Sequence, residues 1–137
     1  MGFSTTLFYA GLTGLLLLVL SMRVVALRRR HHVGVGSGDK PDLELAVRCH
    51  ANFCEYVPLA LILLLTLELS GAVAGWLLHA LGIALVVGRV LHGFFGLNRS
   101  AGTTQGRFIG TLLTWLMLLV AALIAIWIGL GRWFLAV

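Results

Sequence analysis

The sequence predicts an all-α integral membrane protein, a bundle of four transmembrane helices in up-down topology. Three observations predict it. Apolar residues make up 60% of the chain and mean hydropathy is strongly positive, which excludes an ordinary soluble domain. Residues 3–22 and 108–131 carry no charge, and each run is long enough to cross a bilayer. Two further apolar runs, about 45–70 and 73–96, are interrupted by only a few charges. Together the runs use nearly all of the 137 residues. Residues 1–137 are therefore expected to form a single membrane domain, with helices over about 3–27, 43–70, 73–96 and 106–131.

Each element has its own signals. No basic segment precedes the first apolar run and no small-residue cleavage site follows it, so it reads as a retained helix rather than a signal peptide. The Gly-rich stretch VGVGSGDKPD, 33–42, is a loop, and Pro41 or Asp42 opens the second helix. Asp42 and Glu44 in its first turn suit the helix dipole. Pro58 removes a backbone bond to residue 54 and predicts a kink near Cys54. SGAVAG, 70–75, reads as a tight turn. In the third helix Ala80, Ala84 and Gly88 recur every four residues, and Gly106 and Gly110 open the fourth. Such spacing lets helix backbones approach closely, within the chain or between subunits. GLNRSAGTTQG, 96–106, is the last loop.

Basic residues report orientation. Arg23, Arg28, Arg29, Arg30 and Lys40 follow the first helix and Arg48 opens the second, while Arg89, Arg99 and Arg107 surround the last connection. Arg132 is the exception. The positive-inside rule places both connections in the cytoplasm and both termini outside, which is the periplasm if the membrane is a bacterial inner membrane. The RRRHH run is read as setting topology and meeting anionic lipid, not as binding nucleic acid. Cys49 and Cys54 project about 140° apart on one helix and predict no disulfide. No HxxxH pair or carboxylate cluster supports a metal site. Glu68 and His79 flank the tight turn, where they pair with each other or meet water, and carry no assigned function.

The stretch RCHANFCEYVP, 48–58, raises the functional question. Arg48, Asn52 and Glu55 fall at about 0°, 40° and −20° around a helix, one polar stripe, with His50 off it. A lone charge at mid-bilayer costs about 2.5–3.5 kcal/mol on insertion scales, so Glu55 requires a partner. Arg89 on the antiparallel third helix is expected at its depth, with His92 one turn nearer the cytoplasm and Arg107 in the same layer. An ion pair fixing helix register accounts for Glu55 and Arg89. A site for a small anion accounts better for the surplus cations, since Arg forks match carboxylates, a glutamate takes an ammonium, and an asparagine holds an amide in both directions.

These residues carry a resemblance. Arg48, Asn52, Glu55, Tyr56 and Pro58 resemble the second-helix signature of the MAPEG proteins, the membrane-associated proteins of eicosanoid and glutathione metabolism. GRVLHGFFG, 88–96, and GRFIGT, 106–111, resemble the third- and fourth-helix segments, and the short loops resemble the bacterial branch. The resemblance implies a homotrimer in a bacterial inner membrane. It implies glutathione as co-substrate, without a metal, bound between subunits near the cytoplasmic face. By position Arg48, Asn52, Glu55, Tyr56, Arg89 and His92 would contact it, Arg28 or Arg29 would reach its carboxylates, and Arg107 would stabilise its thiolate. That implies a glutathione transferase or peroxidase acting on lipophilic electrophiles or lipid hydroperoxides. Thr111 and Gly96 stand where several enzymes of the family carry Tyr, which keeps a non-catalytic lipid- or partner-binding scaffold as the alternative. A small transporter or channel subunit, with Glu55 and Arg89 on its pathway, is a third reading.

Overall fold

The computed structural model describes residues 4–97, 102 and 104–135. Four helices form an antiparallel bundle: α1 Ser4–His31, α2 Pro41–Ser70, α3 Gly75–His92 and α4 Gln105–Leu135. All four are long and apolar enough to span a membrane. Large apolar side chains such as Leu15, Ile62, Leu123 and Trp127 project outward all round the bundle. In water that surface would be untenable; in lipid it is the solvent-facing side. Inside, Leu43, Leu64, Leu67, Leu85, Met117 and Ala121 are almost fully covered.

Local chemistry sets the helix ends. α1 runs a turn past the expected end because Arg28 closes it, donating from Nη1 to the carbonyls of Gly34 and Gly36 at 3.0 and 3.1 Å. Residues with positive φ, among them His32 (55°) and Asp39 (56°), turn the chain through the Gly-rich loop. α2 starts on Pro41, whose missing N–H costs nothing in a first turn. It continues through Pro58 and ends on Gly71 in the left-handed conformation, φ 67°. α4 continues past Arg132, whose guanidinium donates to the Ser70 carbonyl and so spends its charge on the end of α2.

Glu68 and His79 do not pair with each other, as the sequence allowed; both reach α1. The Glu68 carboxylate accepts the backbone N–H groups of Thr5 and Thr6 at 2.8 and 2.7 Å, capping the start of α1. Tyr9 Oη lies 3.2 Å from His79 Nδ1. Gly82 leaves the space that the Tyr9 ring fills. One end of the bundle is thereby tied across three helices.

The other end is closed by glycines. A Cβ on Gly110 would stand 2.5 Å from the Gly88 carbonyl oxygen and from His92 N, so α3 and α4 touch backbone to backbone. After His92 the chain makes a π-helical turn, Gly93–Leu97, where a longer α3 was expected. There a Cβ on Gly96 would meet Arg107 N at 2.8 Å, and one on Gly106 would meet the Phe95 carbonyl oxygen at 2.7 Å. The recurrent small residues of α3 and α4 thus serve the chain's own packing at Gly88, Gly106 and Gly110; Ala80 faces outward. Arg99, one of the orienting cations, lies outside the described residues.

Candidate functional site

α2, α3 and the start of α4 enclose a cavity of about 320 Å³. Among the described residues its walls are Pro41, Glu44, Leu45, Arg48, Asn52, His92 and Arg107. Arg48 and Asn52 are one turn apart on α2, as the stripe required. His92 enters from α3 and is buried. Arg107 is held by the glycine contacts that press the start of α4 against the π-helical turn.

Behind that wall lies Arg89, only 4% exposed. Its Nη1 donates to Asn52 Oδ1 at 2.9 Å and its Nη2 to Thr114 Oγ1 at 2.7 Å. The Gly110 carbonyl lies 3.4 Å from Nη2, and the Tyr56 ring covers the guanidinium at 5.3 Å. Tyr56 also accepts a long hydrogen bond from Trp115 Nε1 at 3.4 Å. No carboxylate among the described residues pairs with Arg89. A buried cation is here met by neutral acceptors and an aromatic face, which keeps the side chain in one place.

The expected Glu55–Arg89 pair is therefore absent. Glu55 instead approaches Arg48 of its own helix, Oε1 to Nη1 at 3.9 Å, with both side chains more than half exposed. The reason is direction: Glu55 points outward from α2, whereas Arg89 points inward between α2 and α4, to Asn52 and Thr114. A second expectation changes too. The sequence expects Asn52 to hold an amide both ways, but its oxygen already accepts from Arg89, so its NH₂ group is the more available half. Arg48, Asn52 and Arg107 then all offer donors, and Glu44 is the one carboxylate in the walls.

The remaining residues implied by the resemblance stand elsewhere in the single chain. Arg28 is occupied with its loop carbonyls. Arg29 edges a shallow groove on α1 with Leu18, Ser21, Met22 and Val25. Neither they nor Glu55 and Tyr56 line the cavity. Two participants went unread in the sequence. Glu44 had only a dipole role. Thr114 is fully buried, accepts from Arg89 and donates to the Gly110 carbonyl at 2.9 Å. A hydroxyl one turn beyond Gly110 was a weak signal, since Thr111 offers another three residues earlier.

Arg107 also borders a second, more apolar cavity of about 440 Å³ along the outer face of α4, with Phe108, Thr111, Leu112 and Trp115. Polar and apolar cavities thus share Arg107 as a wall residue. Thr111 turns its hydroxyl back to the Arg107 carbonyl at 2.8 Å. At Gly96 the backbone of Arg107 stands where a side chain would begin, so the missing Tyr has a packing cause. The two cysteines are both free, Cys49 buried and Cys54 exposed.

The family model described as "MAPEG family" matches residues 6–127. The chain is 38% identical over 119 residues to the protein named "Inner membrane protein YecN" of Escherichia coli strain K12, covering 87% of this chain and 88% of that one. The protein of the same name from Escherichia coli O6:H1 matches equally. No solved structure matches the chain at a comparable standard.

Proposed function

This chain belongs to the MAPEG family of membrane proteins, and from that premise we propose that it is a membrane-bound glutathione transferase or peroxidase. The observation that carries the reading is the meeting of two cavities at Arg107, one donor-rich and one apolar. Glutathione brings two carboxylates, an ammonium and two amides. Arg48 and the Asn52 NH₂ group suit its carboxylate and carbonyl oxygens, and Glu44 suits its ammonium. Arg89 holds Asn52 in the donating orientation.

A free thiol has a pKa of about 8.5, so little is thiolate near neutrality. A guanidinium beside the sulfur favours the anion. Arg107 is the cation in position for this, and the thiolate would then attack an electrophile lying along Phe108, Leu112 and Trp115. The apolar cavity opens to the face that lipid covers, the natural route for a hydrophobic co-substrate. The reading includes assembly as a homotrimer, in which Arg28, Arg29, Glu55 and Tyr56 gain their contacts from a neighbouring subunit, with the site toward the cytoplasm and both termini periplasmic.

The test is a glutathione titration of the purified protein in detergent, recording ultraviolet thiolate absorbance. A saturable signal, lost in Arg107→Ala while binding persists, is the expected result. Absence of glutathione binding overturns the reading. Binding without thiolate favours the second reading, a non-catalytic lipid- or partner-binding scaffold, which rests on Thr111 having spent its hydroxyl on its own backbone.

A further inference from the structure

A second group of reactive side chains lies away from this cavity, where α1 meets α2. Ser21 Oγ donates its single proton to the Leu17 carbonyl at 2.8 Å. It can then only accept from His50 Nε2, which lies 3.0 Å away. With Nε2 as the donor, the neutral ring carries its lone pair on Nδ1. Nδ1 faces Cys54 Sγ at 4.0 Å, the outer limit of hydrogen-bond contact to sulfur. Thiol, base and orienting hydroxyl stand in series, the arrangement that activates a nucleophile, and such contacts commonly shorten when substrate binds.

The thiol is exposed and opens into a groove of about 280 Å³ between the two helices. Ala10, Gly14, Leu17, Val57, Pro58 and Leu61 line it, and its surface is almost wholly apolar. Polar groups at such a place are costly to keep in a membrane. Packing does not require the thiol, since Cys54 fills no core position.

We propose that Cys54, His50 and Ser21 form a second thiol site, one that adds covalently to lipophilic α,β-unsaturated carbonyl compounds. The Cys54 proton passes to His50 Nδ1. The sulfur electron pair forms a C–S bond at the β-carbon, the C=C π pair shifts to lie between the α-carbon and the carbonyl carbon, and the C=O π pair moves onto oxygen, giving an enolate. The imidazolium proton then returns to the α-carbon. Nothing is oxidised or reduced and no group leaves, so no co-reactant is needed. The apolar groove selects for an alkyl chain on the electrophile.

The experiment uses the full-length protein in lipid nanodiscs with no glutathione present, so its outcome is independent of the function proposed above. Hexyl vinyl ketone and the short methyl vinyl ketone are the probes, and adducts are followed by intact mass and peptide mapping. One adduct per chain is expected, on Cys54 and not Cys49, with the long-chain ketone preferred relative to a free cysteine peptide in the same nanodiscs. His50→Ala should slow it at least about tenfold, the low side of what a positioned base supplies, and added imidazole should restore part of the rate. Ser21→Ala should slow it several-fold, and it carries the same test if His50→Ala fails to assemble. Equal rates in wild type and these variants, adducts on Cys49, or no chain-length preference would overturn the proposal.

Discussion

Gly110→Ala is the sharpest perturbation the geometry offers. Its new methyl would stand 2.5 Å from the Gly88 oxygen and from His92 N, both backbone atoms that no rotamer can move. Ordinary contact begins at about 3.4 Å, so α3 and α4 must separate by roughly 0.9 Å at their crossing. Overpacking of this kind costs about 1–3 kcal/mol. The separation also stretches the bond of 2.7 Å from Arg89 to Thr114 beyond hydrogen-bonding range. A bond to a charged group contributes about 1.5–3 kcal/mol. A net loss of about 3 kcal/mol is expected, together with weaker glutathione binding, because His92 and Asn52 move with Arg89. The assay is equilibrium unfolding in mixed detergent micelles, followed by circular dichroism, with Gly129→Ala as control. Nothing lies within 4 Å of a Cβ at Gly129, and that change should be neutral or stabilising by up to about 1 kcal/mol. If the two variants unfold alike, the backbone contact between α3 and α4 is not what positions the site.

Other outcomes follow from single contacts. Asn52→Asp should keep the fold, since a carboxylate beside Arg89 is well placed, but it replaces the donor turned to the cavity with an acceptor; glutathione affinity by calorimetry should fall about tenfold, roughly 1.4 kcal/mol. Glu55→Gln in detergent-dissociated single chains should change stability by no more than about 1 kcal/mol, because its pair with Arg48 is exposed. A larger loss measured only in an assembled oligomer would locate a further partner of Glu55 on a neighbouring subunit. Glu68→Gln should cost about 1–2 kcal/mol and accelerate amide exchange at Thr5 and Thr6, whose N–H groups it leaves without the carboxylate.

The four-helix architecture was legible because it depends on uncharged length, which a sequence displays directly. So was the stripe of Arg48 and Asn52, since spacing on one helix fixes a shared face. What faces that stripe was less legible. Periodicity gave Arg89 its depth but not its partners, and a guanidinium shared between Asn52 of α2 and Thr114 of α4 reads the same as one paired with Glu55. Thr114 and Gly110 decide the matter, and both look unremarkable in a run of apolar residues. The tie from Glu68 to Thr5 and Thr6 was equally hidden, because the donors are backbone groups separated from the acceptor by more than sixty positions. Gly96 read as a missing Tyr, whereas the packed chain shows a glycine required by the approach of α4.

The short third helix carries a consequence of its own. α1, α2 and α4 contain 28, 30 and 31 residues, about 42–46 Å of rise, and overreach the hydrocarbon thickness of about 30 Å. α3, with 18 residues, rises only about 27 Å and is the one helix matched to that thickness. It therefore acts as a depth gauge. Three helices adapt to a thicker or thinner bilayer by tilting, with polar ends to spare. α3 has the least reserve: even with the π-helical turn its span is Gly75–Gly96, 22 residues, and that turn is packed against Arg107. A change in acyl-chain length is thus expected to bear first on the wall holding Arg89 and His92.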